Sequence, residues 1–144
     1  MAAATKDCIF CAIIAGTVPA AIVHQDDDHV AFLDQRPLFE GHTLVVPRVH
    51  VVTLADLPAD GVAPFFTLVQ RLSTAVPTAM DAAGSFVAMN NVVSQSVAHL
   101  HCHVVPRNFK DGLRGFFWPR TKYADDAARD AVAEKITKVL AAEH

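Results

Sequence analysis

Three histidines at alternate positions, His99, His101 and His103, are the residues whose type and spacing most directly suggest chemistry. They lie in the β-prone run AHLHCHVVP, and the side chains of a strand alternate between its two faces with about 3.3 Å of rise per residue. We therefore expect the three imidazoles on one face at roughly 7 Å intervals. The residues that alternate with them, Leu100, Cys102 and Val104, are predicted to point into the core.

Imidazole can act near neutral pH as a nucleophile, as a general acid or base, or as a metal ligand. A lone histidine on a strand is usually a structural residue, whereas a row of three favours one of these roles. Attack of a neutral imidazole on phosphorus gives a phosphohistidine-type intermediate, which water or another acceptor splits in a second step. The row therefore indicates nucleophilic or metal chemistry.

Two cysteines near the N-terminus, Cys8 and Cys11, have the two-residue gap that lets both thiolates reach one metal ion. Tetrahedral zinc would need two further ligands. A redox pair of the thioredoxin type normally follows a strand and opens a helix, and the chain has no room for a strand before Cys8. Zinc is thus favoured over a redox protein, and Cys102 is expected to be a buried small hydrophobe.

The elements that must position these residues follow from the hydrophobic pattern. The strands outnumber the helices and short turns join most of them, which predicts an α+β fold with an antiparallel sheet. A main helix is predicted over 63–76, where Pro77 interrupts the periodicity, and a terminal helix follows the acidic pair at 125–126. A short helix or turn is expected at 8–15 and strands at 22–24, 29–33, 42–47, 85–90 and 98–106.

Composition and charge limit the class of protein. The 144 residues suit a single domain over 1–144, and a hydrophobic content of 52% excludes a disordered chain. A net charge of −3 does not attract nucleic acid or an anionic membrane over a broad face. Without a spanning segment or a leader, the protein is expected to be cytoplasmic. A basic and aromatic segment, GLRGFFWPRTKY, has the composition to stack bases and hold phosphates, and the alternative is that its aromatic residues pack against the core or a second subunit.

The motif HLHCHVV, together with CIFCAII, AFLDQRPLFEGHTLVVPRVH and SQSVAHLHCHVVPR, resembles the histidine triad (HIT) family. The resemblance covers most of the chain and is to bacterial-type members that carry a Cys-x-x-Cys zinc site. It implies a HIT-like fold, with about five antiparallel strands, one main helix and a C-terminal helix. It also implies a nucleotide hydrolase or transferase that acts on adenosine-type phosphates, and a homodimer.

By this resemblance His101 is the nucleophile that takes up the nucleoside monophosphate, and His103 orients it or touches the phosphate. Gln95 and Ser96 are implied as hydrogen-bond donors near the phosphate. Asn90 and Asn91 match the phosphate-proximal amide only loosely, and Ser94 stands where a glycine is common. The implied substrates are adenosine phosphoramidates or dinucleoside polyphosphates; the alternative is a nucleotide-binding regulatory module with vestigial catalysis.

For the nucleoside, Asp34 follows Phe32 and Leu33, and a carboxylate there can accept both ribose hydroxyls. The alternative from chemistry alone is a strand-end aspartate that caps a turn. The apolar pair and Ile22 would flank the purine base. His42 resembles the family histidine near the phosphate, and Arg107 is the basic residue expected near a polyphosphate, although an exposed surface role fits it equally.

For the metal, the resemblance implies that His50 and His99 complete a structural zinc site with Cys8 and Cys11. This site would tie the N-terminal segment to the histidine strand.

Overall fold

The structure, a computed structural model, describes residues 7–113 and 120–142. The chain divides into two compact units, one up to Asp111 and one from Gly112 onward. Residues 114–119 of the basic and aromatic segment lie outside the described ranges. A single domain over 1–144 stays a prediction. No helix within the described ranges is long and apolar enough to cross a membrane.

The first unit is built on a five-stranded antiparallel sheet with the strand order β1-β2-β3-β5-β4, which confirms the predicted α+β class. Two α-helices, α1 (Ile9–Ile14) and α2 (Ala59–Ala79), and a 3₁₀ turn at Leu54–Asp56 complete the unit. The strands are β1 (Ile22–Gln25), β2 (His29–Leu33), β3 (Thr43–Pro47), β4 (Gly84–Ala88) and β5 (Cys102–Arg107).

Alternation along the strands divides the sheet into two apolar faces. One face packs against α2 and contains Leu100, Cys102 and Val104, as the histidine spacing predicted. The other face, with Phe32 and Leu44, packs against Phe10 of α1. Because α1 has only six residues, it covers this second face in part and leaves room beside it for a cavity.

Strand β5 is shorter than the sequence predicted. It begins at Cys102, so His99 and His101 precede it. The pairing of β5 with β3 begins at Cys102, which lies opposite Val45. Before this pair, the backbone N–H of Leu100 donates to the carbonyl of Val51 at 2.7 Å. The chain therefore leaves the sheet just before the strand, and the centres of the His101 and His103 rings lie 5.0 Å apart.

The prediction that Pro77 ends the main helix was wrong, because α2 continues to Ala79. Proline removes one backbone donor, but the hydrogen bonds beyond it persist, including Met80 N–H to the carbonyl of Val76 at 3.1 Å. Pro77 is itself buried with Val76, and this packing compensates for the lost bond.

The second unit contains the predicted terminal helix, α3 (Asp126–Ala142). None of its residues is buried, and its side chains form ion pairs within the helix, such as Arg129 with Asp126 and Lys138 with Glu134.

Candidate active site and metal centre

A cavity of about 490 Å³ lies on the sheet face that α1 covers in part, a volume within the ordinary range for small-ligand sites. Ser96, Val97 and His101 line it from the segment that leads into β5, and His103 lines it from β5 itself. Its other residues come from α1 and the stretch after it, from β2 and the turn that follows it, and from β3: Ile9, Phe10, Ile13, Val18, Ala20, Phe32, Leu33, Asp34, Gln35, Arg36 and Leu44.

The protonation of His101 follows from one hydrogen bond. Its Nδ1 lies 2.7 Å from the backbone carbonyl oxygen of His99. A carbonyl can only accept, so Nδ1 carries the hydrogen, and the neutral ring keeps its lone pair on Nε2. The ring is buried and its centre lies 5.0 Å from that of Phe10 in an edge contact. The neutral tautomer of His101 therefore has Nε2 as its acceptor nitrogen, in a ring that the hydrogen bond and Phe10 hold in place.

His103 has its hydrogen on the other nitrogen, Nε2, because of two successive hydrogen bonds. The backbone N–H of Leu38 donates to Nδ1 of His42 at 3.1 Å, so the neutral His42 ring carries its hydrogen on Nε2. That Nε2–H donates to Nδ1 of His103 at 2.8 Å, which leaves the His103 hydrogen on Nε2. The cavity is therefore lined by one imidazole with an acceptor Nε2 and one with a donor Nε2.

Burial favours the neutral forms of His42 and His103. It lowers the pKa of His103 to about 4, with further contributions from the neighbouring His101 and His42. Burial also lowers the pKa of His42, against the opposing effect of Asp34, whose Oδ2 lies 3.8 Å from its Nε2.

The depressed pKa of His103 predicts a loss of stability in acid. Its pKa rises from about 4 when folded to about 6.5 when unfolded. The unfolded chain thus binds more protons between these values, and the free energy of unfolding falls as pH drops from 6.5 towards 4. The loss is at most about 3 kcal/mol, at 1.36 kcal/mol per pKa unit. In urea denaturation at pH 7 and pH 4.5, His103→Gln should lose less stability than the wild type; equal losses would refute the assignment.

Asp34 caps a turn and lines the cavity at once. Its Oδ1 accepts the backbone N–H of Arg36 at 2.9 Å, and its own N–H donates to the carbonyl of His42. The two interpretations that the sequence left open, turn cap and ribose ligand, are therefore geometrically compatible.

The polar residues before the triad form hydrogen bonds within their own loop and to the segment at residues 52–54. The Gln95 amide donates to the carbonyl of Val52 at 2.6 Å and accepts the N–H of Val92, while Asn91 accepts the N–H of Leu54. Asn90 donates to the carbonyl of Ser94. Of the polar residues the sequence singled out here, Ser96 reaches the cavity lining, and Gln95, Asn90 and Asn91 do not.

This loop contains backbone strain that glycine would relieve. Val92 and Ser94 have φ values of 69° and 61°, in the left-handed region that β-branched residues disfavour. The side chain of Val92 is 74% exposed, so its removal costs little packing. Val92→Gly is expected to raise the free energy of unfolding by about 1 kcal/mol.

The neighbouring Val93 provides the matched control, because it is equally exposed and has no positive φ. Val93→Gly should lower stability by roughly 0.5–1 kcal/mol through the entropy of the unfolded chain. Thermal denaturation of both variants checks the pair, and a loss of stability in Val92→Gly would contradict the strain at that position.

Two residues that the sequence suggested for the nucleotide lie elsewhere. Ile22 is exposed on the edge strand β1 and is absent from the cavity lining. Arg107 is at the end of β5, where it makes a bidentate ion pair with Asp111 at 2.6 and 3.0 Å. This hydrogen-bonded carboxylate raises the pKa of Arg107.

The apolar wall from α1 was missed in the sequence. Ile9, Phe10 and Ile13 line the cavity, and Phe10 also contacts Phe32 with ring centres 5.4 Å apart. The available signal was the helical spacing of Ile9 and Ile13 around the cysteine pair, because one face of such a helix must cover the sheet. Gln35 and Arg36 were also missed.

The ligand atoms of the four candidate metal ligands, Cys8, Cys11, His50 and His99, lie close together. Nδ1 of His99 lies 3.5 Å from each of the Sγ atoms of Cys8 and Cys11. Nδ1 of His50 lies 3.3 Å from Sγ of Cys11 and 3.1 Å from Nδ1 of His99. Tetrahedral zinc, with bonds of about 2.3 Å to sulfur and 2.0 Å to nitrogen, separates S and N by about 3.5 Å and two N by about 3.3 Å.

The hydrogen bonding of His99 also suits a metal ligand. Its Nε2 donates to the carbonyl of Pro47 at 2.8 Å, so the lone pair of the neutral ring is on Nδ1, the atom that faces the thiols. These residues therefore fit a closed zinc site in both distance and donor chemistry.

A second cluster, Asp34, His42 and His103, also gathers possible ligand atoms, but its hydrogen bonds do not fit a metal. The Leu38 N–H occupies Nδ1 of His42, so Nε2 of that ring carries a hydrogen and has no lone pair to offer. Cys102 belongs to neither cluster, and burial raises its pKa to about 11, which keeps it a thiol.

The family model described as HIT domain matches residues 15–110, and the chain belongs to this histidine triad family. Adenylylsulfatase HINT3 of Arabidopsis thaliana is 35% identical over 75% of this chain and 56% of its own length. Adenosine 5'-monophosphoramidase hnt1 of Schizosaccharomyces pombe is 29% identical over 92% of this chain and 98% of its own.

Two solved structures have the same fold. A HIT family protein from Bacillus subtilis superposes with a TM-score of 0.84 at 31% identity, over 92% of this chain and 96% of that one. A Zn-bound histidine triad family protein from Mycobacterium smegmatis gives a TM-score of 0.71 at 36% identity, over 92% of this chain and 97% of that one.

Proposed function

We propose that this protein is a nucleotide hydrolase or nucleotidyltransferase that cleaves at the α-phosphate of adenosine-type nucleotides through a covalent nucleotidyl intermediate on His101. Its substrates are adenosine phosphoramidates or dinucleoside polyphosphates. The observation that carries the proposal is the hydrogen bond from Nδ1 of His101 to the carbonyl of His99, because it fixes a nucleophilic lone pair on Nε2 at the cavity.

In the first step, the Nε2 lone pair of His101 forms a bond to the α-phosphorus. The bond from phosphorus to the leaving amine or phosphate breaks, and the leaving group takes its electron pair and a proton from solvent. In the second step, water attacks phosphorus, the N–P bond returns its electrons to Nε2, and the water proton goes to solvent. Phosphate as acceptor in place of water gives the transferase reaction.

The other cavity residues assist this chemistry. His103 directs its Nε2–H at a phosphoryl oxygen and stabilises the charge that develops there, and Ser96 supplies a hydroxyl donor. Asp34 accepts the ribose hydroxyls. The apolar wall formed by Phe10 and Phe32 holds the purine base. The printed names of two relatives, an adenylylsulfatase and an adenosine monophosphoramidase, support an adenylyl compound as substrate.

The proposal includes a structural zinc ion held by Cys8, Cys11, His50 and His99, which supplies a cross-link between the N-terminal segment and the histidine segment. The distances among the ligand atoms support it. A homodimer remains a prediction from the family resemblance, and light scattering of the purified chain checks it.

The test is turnover of an adenosine phosphoramidate and a series of diadenosine polyphosphates, followed by chromatography of the products. Many turnovers per chain with release of AMP are expected, and the better substrate identifies the branch of the family. Nucleotide binding without turnover on any of these compounds would overturn the proposal and favour a regulatory module.

A further inference from the structure

His99 belongs to two sites at once. Its side chain, which is fully buried, presents Nδ1 to Cys8, Cys11 and His50. Its backbone carbonyl accepts the hydrogen bond that fixes Nδ1 of His101. The position of this one residue therefore determines both the geometry of the candidate metal site and the orientation of the candidate nucleophile.

Phe10 makes a second connection. It lies between Cys8 and Cys11, and its ring contacts those of His99 and His101 edge-on, with centres 5.9 and 5.0 Å apart. The same ring lines the cavity. The ligands that flank it are thus on the helix that forms the wall of the nucleotide pocket.

The helix α1 depends on these anchors. It has six residues, far below the ~12–15 that an isolated helix needs in water. Its N-cap is Cys8, whose Sγ lies 3.4 Å from the N–H of Cys11. Without a cation, α1 is joined to His50 and His99 by hydrogen bonds among thiols and imidazoles and by the edge contact of Phe10 with His99, and these are far weaker than coordination bonds.

We propose that metal binding and nucleotide binding are coupled in this protein, with His99 and Phe10 as the positioning residues that connect the two sites. A metal ion holds the His99 carbonyl and the Phe10 ring in the arrangement that nucleotide requires, so loss of the metal weakens nucleotide binding. Thermodynamic linkage requires the reverse effect of equal size: nucleotide tightens metal binding. This inference rests on the proposed nucleotide and metal sites.

The test uses the full chain loaded with Co²⁺, whose visible absorption reports the geometry of its ligands, and AMP as the probe. Saturating AMP is expected to shift the Co²⁺ bands, although none of the four candidate ligands lines the cavity. Calorimetric titration of the Zn²⁺-loaded and metal-free proteins should give a dissociation constant for AMP at least about fivefold weaker without metal, the lower end of ordinary coupling.

Two variants locate the connection. Phe10→Leu keeps all four ligands and the His99 carbonyl, and it should lower the ratio of the two AMP dissociation constants below the wild-type value. Ile14→Ala changes a partly buried residue of the same helix outside the cavity lining and should keep the wild-type ratio. If the metal-free chain does not fold, the Co²⁺ spectrum of each loaded variant decides.

The outcomes separate this inference from the function on which it rests. Equal AMP affinity with and without metal, or Co²⁺ bands that AMP leaves unchanged, would overturn the coupling while nucleotide binding stands. A loaded protein that binds no AMP would overturn both. A wild-type ratio in Phe10→Leu would overturn the role of Phe10.

Discussion

Replacing His101 by asparagine is expected to abolish turnover, with kcat lower by at least about 10³-fold, as for other enzymes that lose their nucleophile. Asparagine can donate to the His99 carbonyl as Nδ1 does, but its remaining amide atoms are too weakly nucleophilic to attack phosphorus. Nucleotide should still bind, because Asp34 and the apolar wall are unchanged. Product chromatography measures the rate, and calorimetry with AMP measures the binding.

His29→Asn is the matched control. His29 is also a buried histidine, in β2, but it is absent from the cavity lining and contacts Asp26. A folded His29→Asn protein should keep wild-type turnover. If His101→Asn retained more than about a tenth of the wild-type rate, or if both variants lost activity equally, the covalent mechanism would be refuted.

The second large effect is expected at the metal site. Protein purified without chelator should contain one equivalent of zinc, and Cys11→Ser should contain far less. Because zinc binding contributes directly to folding energy, its loss should cost several kcal/mol and lower Tm by at least about 10 °C. Metal analysis by mass spectrometry and thermal denaturation measure the two quantities.

Cys102→Ala is the control for removal of a buried thiol. Cys102 lies on the opposite face of the sheet, in the core beneath α2, so this variant should keep one equivalent of zinc and lose only packing energy. Zinc well below one equivalent in the wild type, or unchanged in Cys11→Ser, would exclude the site.

Local patterns in the sequence were sufficient for the sheet and for the identity of the triad. Strand alternation correctly predicted that Leu100, Cys102 and Val104 face the core, because neighbouring side chains on an extended backbone must point in opposite directions. Apolar residues three and four positions apart predicted the main helix, because they lie on one face of a helix. The predicted end at Pro77 was wrong, because the buried packing of Pro77 outweighs one missing hydrogen bond.

The positions of the imidazole protons follow from the hydrogen bonds of the folded chain. His101 takes its polarity from a backbone carbonyl, and His103 takes its polarity from His42, a residue 61 positions away, which the Leu38 N–H orients in turn. A free histidine side chain has two accessible tautomers, so the residue type does not fix which nitrogen donates. The partner that each nitrogen meets in the folded chain makes that choice, whether it lies two positions away, as for His101, or 61, as for His103.

The contacts of the folded chain also decide which residues meet at the candidate metal site and which polar side chains are already hydrogen-bonded elsewhere. Cys8 and His99 are 91 positions apart, and their 3.5 Å approach depends on α1 packing against the sheet. Gln95 and Arg107 have the residue types of phosphate ligands, yet Val52 and Asp111 take their hydrogen bonds. The sequence by itself determined which groups this protein has available for chemistry; the tertiary structure decided which of them face the cavity, because the folded backbone sets which hydrogen-bond partners each side chain meets.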